Sequence, residues 1–329
     1  MATATDWGGR ACLVTGGAGF GGSHLCGRLL ELGARVHVLD RVFPRNSYLV
    51  LSGVEDRVAL IPGDIRDLDL MRLTLERNEI DTVFHLAAQP IAPMSNVLPF
   101  ETLSVNALGT YTVLEAVRSS ASARRLVFAS SGAYYGSTTT DQPIGENDAP
   151  RQATNLYGPS KVAGDVAVRA YAQVYGIKAA ACRFMNTYGP GDTNFSRLVP
   201  RAARNLIRAE PYDFGDRDDG KTRLDFLYIR DMANAYIKLA EALDTVSGEA
   251  FNFGYGRPVS TADVTRLASR IYDGDERTPR FGGAPRAHPV VKYLDIAKAK
   301  RMLRWEPTTS LEEGMGETID WYRRSLARL

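Results

Sequence analysis

The sequence predicts an α/β fold built on a doubly wound parallel sheet, and three observations predict it. Short apolar runs alternate with amphipathic stretches through the first half. The first run leads straight into a glycine-rich turn that opens a helix, and an acidic residue ends the second run. Strand–helix alternation of this kind covers both faces of a parallel sheet with helices.

Residues 11–15, 35–40, 58–62, 82–87 and 124–130 are the first five strands. They are short, rich in Val, Leu and Phe, and bounded by Gly, Asp or Ser, as strands buried on both faces are. Residues 22–32 and 103–119 carry helical periodicity between them. Residues 178–184 form a further buried strand. Beyond it, 186–226 is richer in Gly, Pro and Arg, and 231–242 and 261–272 read as helices. The expected division is a dinucleotide-binding domain over 1–185 and a smaller, mainly substrate-binding lobe over 186–329, with crossovers back to the first domain.

Composition agrees with an ordinary globular enzyme: 44% of the 329 residues are hydrophobic and 24% charged. A net charge of +2 gives no sign of a nucleic-acid or membrane partner. Cys12, Cys26 and Cys182 lie in apolar stretches without metal-ligand spacing, as buried reduced thiols do. The N-terminus lacks a basic region followed by an apolar core, and no apolar run approaches the ~20 residues that cross a bilayer. A cytoplasmic location is expected.

The turn after the first strand places Gly16, Gly19 and Gly22 three residues apart in LVTGGAGFGGSHL. Small residues let the backbone turn tightly and approach a pyrophosphate, which rests on the positive end of the following helix. Asp40 ends the second strand 18 residues after Gly22. An acid there accepts both hydroxyls of an adenosine ribose and repels a 2′-phosphate, which favours NAD, although neighbouring Arg41 is of the kind that accepts the extra phosphate. Asp64 and Ile65 follow the third strand and are placed to meet the adenine. His85 reads as a packed strand-end histidine.

The chemistry is carried by Tyr157 and Lys161, four apart and so on one helical face, and by Ser130 and Ser131 at the end of the fifth strand, where such a sheet meets its ligand. Serine, tyrosine and lysine converging on a nicotinamide would run proton-coupled hydride transfer. A free tyrosine has a pKa of ~10. Making it a base near neutrality takes ~4 kcal/mol of phenolate stabilisation. One ammonium ~4 Å away supplies roughly that at an effective dielectric of ~20, and an oxidised nicotinamide adds a second positive charge. Ser131 would hydrogen-bond the substrate hydroxyl and share its proton.

TGGAGFGG, HLAAQP, SVNALGT, FASSGAYYG, YGPSK, RFMNTYGPG, DFLYIRD and LDIAKAKRMLRWEP occur in this order over almost the whole chain. The ordered set resembles the extended short-chain dehydrogenase/reductase family, and within it the nucleotide-sugar 4-epimerases and 4,6-dehydratases. The resemblance implies a Rossmann-type sheet and bound NAD. Gly16, Gly19, Phe20 and Gly22 would cradle its pyrophosphate, Asp40 its ribose, and Asp64 and Ile65 its adenine. Leu86 and Ala88 would line the cofactor, Asn106 would help position the site, and Phe184 would lie by the nicotinamide. Ser131, Tyr157 and Lys161 would be the catalytic triad. Gln89, Asn186, Asn194, Arg197 and Arg286 are substrate candidates, the last four toward a nucleotide diphosphate. A homodimer paired through 103–119 and the helix after Tyr157 is expected.

Two departures from the family pattern matter. Relatives often place an arginine before an Asp-Phe pair to grip the diphosphate; here that place is Leu224, with Arg223 one residue earlier. Adjacent strand residues face opposite sides, so Arg223 replaces it only if the strand shifts. Dehydratases carry an Asp-Glu pair after the strand-end Ser/Thr, where this chain has Gly132 and Ala133. Eliminating water needs an acid and a base there; epimerisation needs neither. The expected activity is therefore C4-epimerisation of a UDP-hexose or UDP-uronic acid through a 4-keto intermediate. A 4,6-dehydratase or 4-keto reductase is the alternative, and a non-enzymatic NAD-binding regulator the more distant one.

Overall fold

A computed structural model describes residues 6–137, 141–285 and 288–329. Seven strands form one parallel sheet: β1 (Ala11–Thr15), β2 (Arg35–Asp40), β3 (Ala59–Pro62), β4 (Thr82–His85), β5 (Arg125–Ala129), β6 (Lys178–Phe184) and β7 (Ala250–Phe253). Their order is β7-β6-β5-β4-β1-β2-β3, so the chain winds outward from β1 in both directions. The reversal between β1 and β4 opens a crevice at the strand carboxyl ends, where sheets of this topology bind ligands.

Alternate residues of each strand feed two apolar cores. On β5, Val127 and Ala129 join one core while Leu126 and Phe128 join the other. The first is covered by α1 (Phe20–Glu31) and α6 (Ile229–Val246). The second is covered by α2 (Leu68–Arg77), α3 (Gly109–Ser119) and α4 (Tyr157–Tyr175). Helix α1 buries Leu25, Cys26 and Leu29 along one stripe, the spacing that one amphipathic face requires.

The C-terminal part adds α5 (Leu198–Ile207), α7 (Thr261–Asp273) and α8 (Leu311–Ser325). It also adds a three-stranded sheet in the order Pro258–Ser260, Arg223–Asp225, Val291–Lys292. Ser260 and Ser310 cap α7 and α8 by accepting the amides of Asp263 and Glu313. Strand β7 belongs to the large sheet although it lies far along the chain, and pairs with β6 from Ala250 opposite Ala181 to Phe253 opposite Phe184. Among the described residues no helix is long and apolar enough to cross a membrane, and no cluster of three or more His, Cys, Asp or Glu could hold a metal.

Candidate active site

A cleft of about 1060 Å³ runs along the carboxyl ends of β1, β2, β4, β5 and β6. Its floor begins at the glycine turn. Gly16 has φ +73°, and a Cβ there would lie 2.6 Å from the amide nitrogen of Ala87. Both the backbone conformation and the close approach of the segment after β4 therefore require glycine. Gly19 is the N-cap of α1 and Phe20 its first residue. The turn thus presents a helix N-terminus to the cleft, which suits an anionic pyrophosphate.

Asp40 closes β2 beside this turn. Its carboxylate accepts the Ala18 amide at 3.2 Å and the Arg41 amide at 2.8 Å. Burial nevertheless pushes the carboxyl above its ordinary pKa. Asp64 and Ile65 line the same end. Asp64 takes a bidentate ion pair from Arg66, which holds its carboxyl below the usual range. Arg41 is held by Glu101 at 2.9 Å and stands 3.9 Å from Asp64, while Glu101 also takes Arg66 at 3.1 Å. Sequence could not anticipate this cluster, because Glu101 is 60 positions from Arg41.

Leu86, Ala88 and Gln89 line the middle of the cleft, as do Phe184 and Asn186. The Phe184 ring packs 4.8 Å from Tyr236 and 5.3 Å from Phe253. Asn186 adopts a left-handed φ of +42° and donates to the Asp225 carbonyl at 3.1 Å. Asn106 does not line the cleft. It sits buried in a π-helical turn, Ser104–Leu108, that interrupts the helix expected over 103–119. From there it accepts the Gln89 amide at 2.7 Å and donates to the Gln89 carbonyl and to Ser160 Oγ. Its reach is to the residues flanking the site. His85 is fully buried between Thr15 and Thr110, and burial pulls its pKa down to about 3.

Ser131, Tyr157 and Lys161 converge on the cleft. Ser131 ends the β5 segment and caps the short turn Gly132–Tyr135 by accepting the Ala133 amide at 3.1 Å. Its hydroxyl lies beside the Tyr157 phenol. Lys161 lies one turn along α4, buried, with Nζ 5.9 Å from the centre of the Tyr157 ring. Within the protein alone, burial wins over these partners. The phenol is pushed above its ordinary value, offset in part by Ser131 and by the charge of Arg197, and burial pulls the lysine down to about 8. Without a cofactor the protein groups alone leave the phenol above its ordinary value, and an oxidised nicotinamide would add a second positive charge to that of Lys161.

Behind the site, Asp165, one turn beyond Lys161, forms a bidentate ion pair with Arg183 at 2.8 and 2.9 Å. Both side chains are almost completely buried. Arg183 also donates to the Tyr135 hydroxyl at 2.8 Å and lies 3.6 Å over the Tyr134 ring. The turn following Ser131 is thereby fixed against α4.

At the far end, Arg197 lines the cleft and pairs at 3.0 Å with buried Asp192, a cleft residue that no sequence pattern singled out. Asn194 does not line it; its side chain accepts from Ser196. Arg286 lies outside the described residues. Leu224 lines the main cleft, whereas Arg223 lines a separate cavity of about 600 Å³. The strand keeps its register, and the two residues point to opposite sides. Among the described residues, the cations lining the main cleft are Arg41, Lys161 and Arg197.

Gly132 is buried, and a Cβ there would lie 2.5 Å from the methyl of Met185. Any side chain after Ser131 at this position would have to displace that methyl.

Residues 12–254 match the model of the NAD dependent epimerase/dehydratase family. The chain is 32% identical over 333 residues to a UDP-glucose 4-epimerase of Halalkalibacterium halodurans, covering 95% of this chain and 96% of that one. It is similar in structure to the UDP-glucose 4-epimerase of Thermotoga maritima crystallised with UDP-glucose, with a TM-score of 0.85 and 29% identity over 96% of this chain and 99% of that one. MoeE5 in complex with UDP-glucuronic acid and NAD gives a TM-score of 0.81 at 31% identity, covering 96% and 99%. A trifunctional UDP-glucose 4,6-dehydratase/3,5-epimerase/reductase of Arabidopsis thaliana is 29% identical over 95% of this chain, and the chain spans about half of its length, 47%.

Proposed function

Because the chain belongs to the NAD dependent epimerase/dehydratase family, we propose that it is a nucleotide-sugar C4-epimerase. The observation that carries this reading is the pairing of a complete Ser131–Tyr157–Lys161 constellation with a side-chain-free Gly132, packed against Met185, directly after Ser131. Oxidation at C4 has its residues; elimination of water lacks an acid and a base at that place.

In this proposal Gly16, Gly19, Phe20 and Gly22 hold the NAD pyrophosphate, Asp40 the adenosine ribose, and Asp64 and Ile65 the adenine. Leu86, Ala88 and Phe184 line the cofactor, and Lys161 holds the nicotinamide ribose. Bound NAD supplies a hydride acceptor that becomes a donor in the second half-reaction. Tyr157 takes the proton of the C4 hydroxyl as C4 gives up its hydride, and Ser131 steadies that oxygen. The resulting 4-keto sugar turns in the cleft, C4 regains the hydride on its other face, and Tyr157 returns the proton. Nothing is consumed. Gln89, Asn186 and Arg197 face the substrate, with Arg197 at the diphosphate and Asp192 holding its guanidinium.

The relatives' UDP-glucose and UDP-glucuronic acid support a UDP-hexose or UDP-uronic acid as substrate. A homodimer is supported by apolar side chains left exposed on and before the helices of 103–119 and α4, notably Phe100, Leu108, Tyr111, Val166 and Val174. Three buried free thiols support a reducing, cytoplasmic setting. Incubation with a panel of UDP-hexoses and UDP-uronic acids, without added cofactor, tests the reading. Inversion at C4, read by NMR, is expected; no turnover until reduced cofactor is supplied, with that cofactor then consumed, would favour a reductase instead.

A further inference from the structure

The charge cluster at the adenosine end has a geometry that stability does not explain. Arg41, Arg66, Asp64 and Glu101 are each partly exposed, and ion pairs so exposed contribute little to folding. Yet they are closely arranged. Glu101 gives one oxygen to Arg41 Nη1 at 2.9 Å and the other to Arg66 Nη1 at 3.1 Å. Asp64 takes the other side of Arg66 at 2.6 Å. Arg41, Asp40, Asp64 and Glu101 all line the cleft. Arg41 directly follows Asp40, the residue at the ribose position, and its guanidinium is the feature of this end most suited to an added phosphate.

We propose that Glu101 is a specificity-determining residue that reserves the cleft for the dinucleotide without a 2′-phosphate. It does so by occupying Arg41 and Arg66 as their counter-ion. With Asp40, Asp64 and Glu101 against two arginines, the cluster sums to one negative charge. A 2′-phosphate brings about two more negative charges, and must take Arg41 from a carboxylate already bonded to it. Converting Glu101 to an amide removes one negative charge and leaves Arg41 only the more distant Asp64. The ribose contacts of Asp40 are untouched.

This inference rests on the NAD reading above, and the test separates the two. Dissociation constants for NAD and NADP are measured by calorimetry on protein stripped of nucleotide. The proteins are wild type, Glu101→Gln, and Glu101→Gln combined with Arg41→Ala. The single variant is expected to bind NADP about tenfold more tightly, with NAD changed by less than about twofold. Adding Arg41→Ala should return NADP binding to the wild-type level. An unchanged NAD-to-NADP ratio in Glu101→Gln, with wild type still preferring NAD, overturns the role of Glu101 alone. A gain that survives loss of Arg41 overturns the counter-ion mechanism. Tighter NADP binding by wild type overturns both this inference and the cofactor reading.

Discussion

Lys161 donates its ammonium to the main-chain carbonyl of Ala129 at 2.8 Å, tying the first turns of α4 to the end of β5. That bond sets where the only buried cation of the triad stands, and burial brings its pKa to about 8. As pH rises through about 8 the folded lysine loses its proton, while the unfolded one keeps it up to its ordinary value of 10.5. The unfolded state then binds more protons, so stability is expected to increase with pH between those values as the charge leaves the interior. Activity moves the other way, because the phenolate loses its counter-charge. A kcat/KM profile falling above pH ~8, alongside a denaturation midpoint that does not fall, is the expected pair of results. A flat profile to pH 10 would remove Lys161 from the chemistry.

Tyr157→Phe deletes one oxygen and leaves the ring in place. Turnover should fall by ~10²-fold or more if the phenol is the general base, while bound NAD and the thermal midpoint stay close to wild type. Near-normal turnover in a folded, NAD-loaded variant would reassign the base.

The Asp165–Arg183 pair is buried, and removing Arg183 leaves buried Asp165 with only the partly exposed Arg169 at 3.2 Å. Arg183→Leu is expected to cost ~3–5 kcal/mol, read from urea denaturation. It should also loosen the turn after Ser131, because Tyr134 and Tyr135 lose the guanidinium between them. The double change Asp165→Leu/Arg183→Leu should cost less than the sum of the two singles. Additive costs would show that the pair is not coupled.

Gly132→Asp tests whether the chain can be given the acid that dehydratases use. The side chain meets the Met185 methyl, so a loss of ~1–3 kcal/mol is expected from overpacking. Met185→Ala in the same protein should recover most of it. Full stability of Gly132→Asp alone would show that the position is open.

Much of the large sheet was legible because its strands are short, mainly apolar runs bounded by Gly, Asp or Ser and alternating with helical stretches. Residues 11–15, 35–40 and 178–184 were bounded to the residue. Strand β7 was not, because Asn252 interrupts AFNF. That polar side chain is satisfied by the Ile144 carbonyl and the Tyr135 hydroxyl, partners more than 100 positions away. The turn glycines, Ser131, Tyr157 and Lys161 were legible because each sits at a strand end or helix start. Glu101 and Asp192 reach the cleft, and Met185 reaches Gly132, only through folding, and carried no local signal. The switch to a π-helical turn at Ser104–Leu108 was equally hidden, since it keeps the apolar spacing of a helix.

The central claim is that hydride leaves and returns to the same carbon, and UDP-glucose deuterated at C4 tests it most directly. The enzyme is incubated with this substrate, without added cofactor, and the product is examined by mass spectrometry and NMR. The account predicts a product of unchanged mass, with the C4 configuration inverted and the deuterium still on C4. A product lighter by one water, or one whose deuterium has left C4, would contradict it.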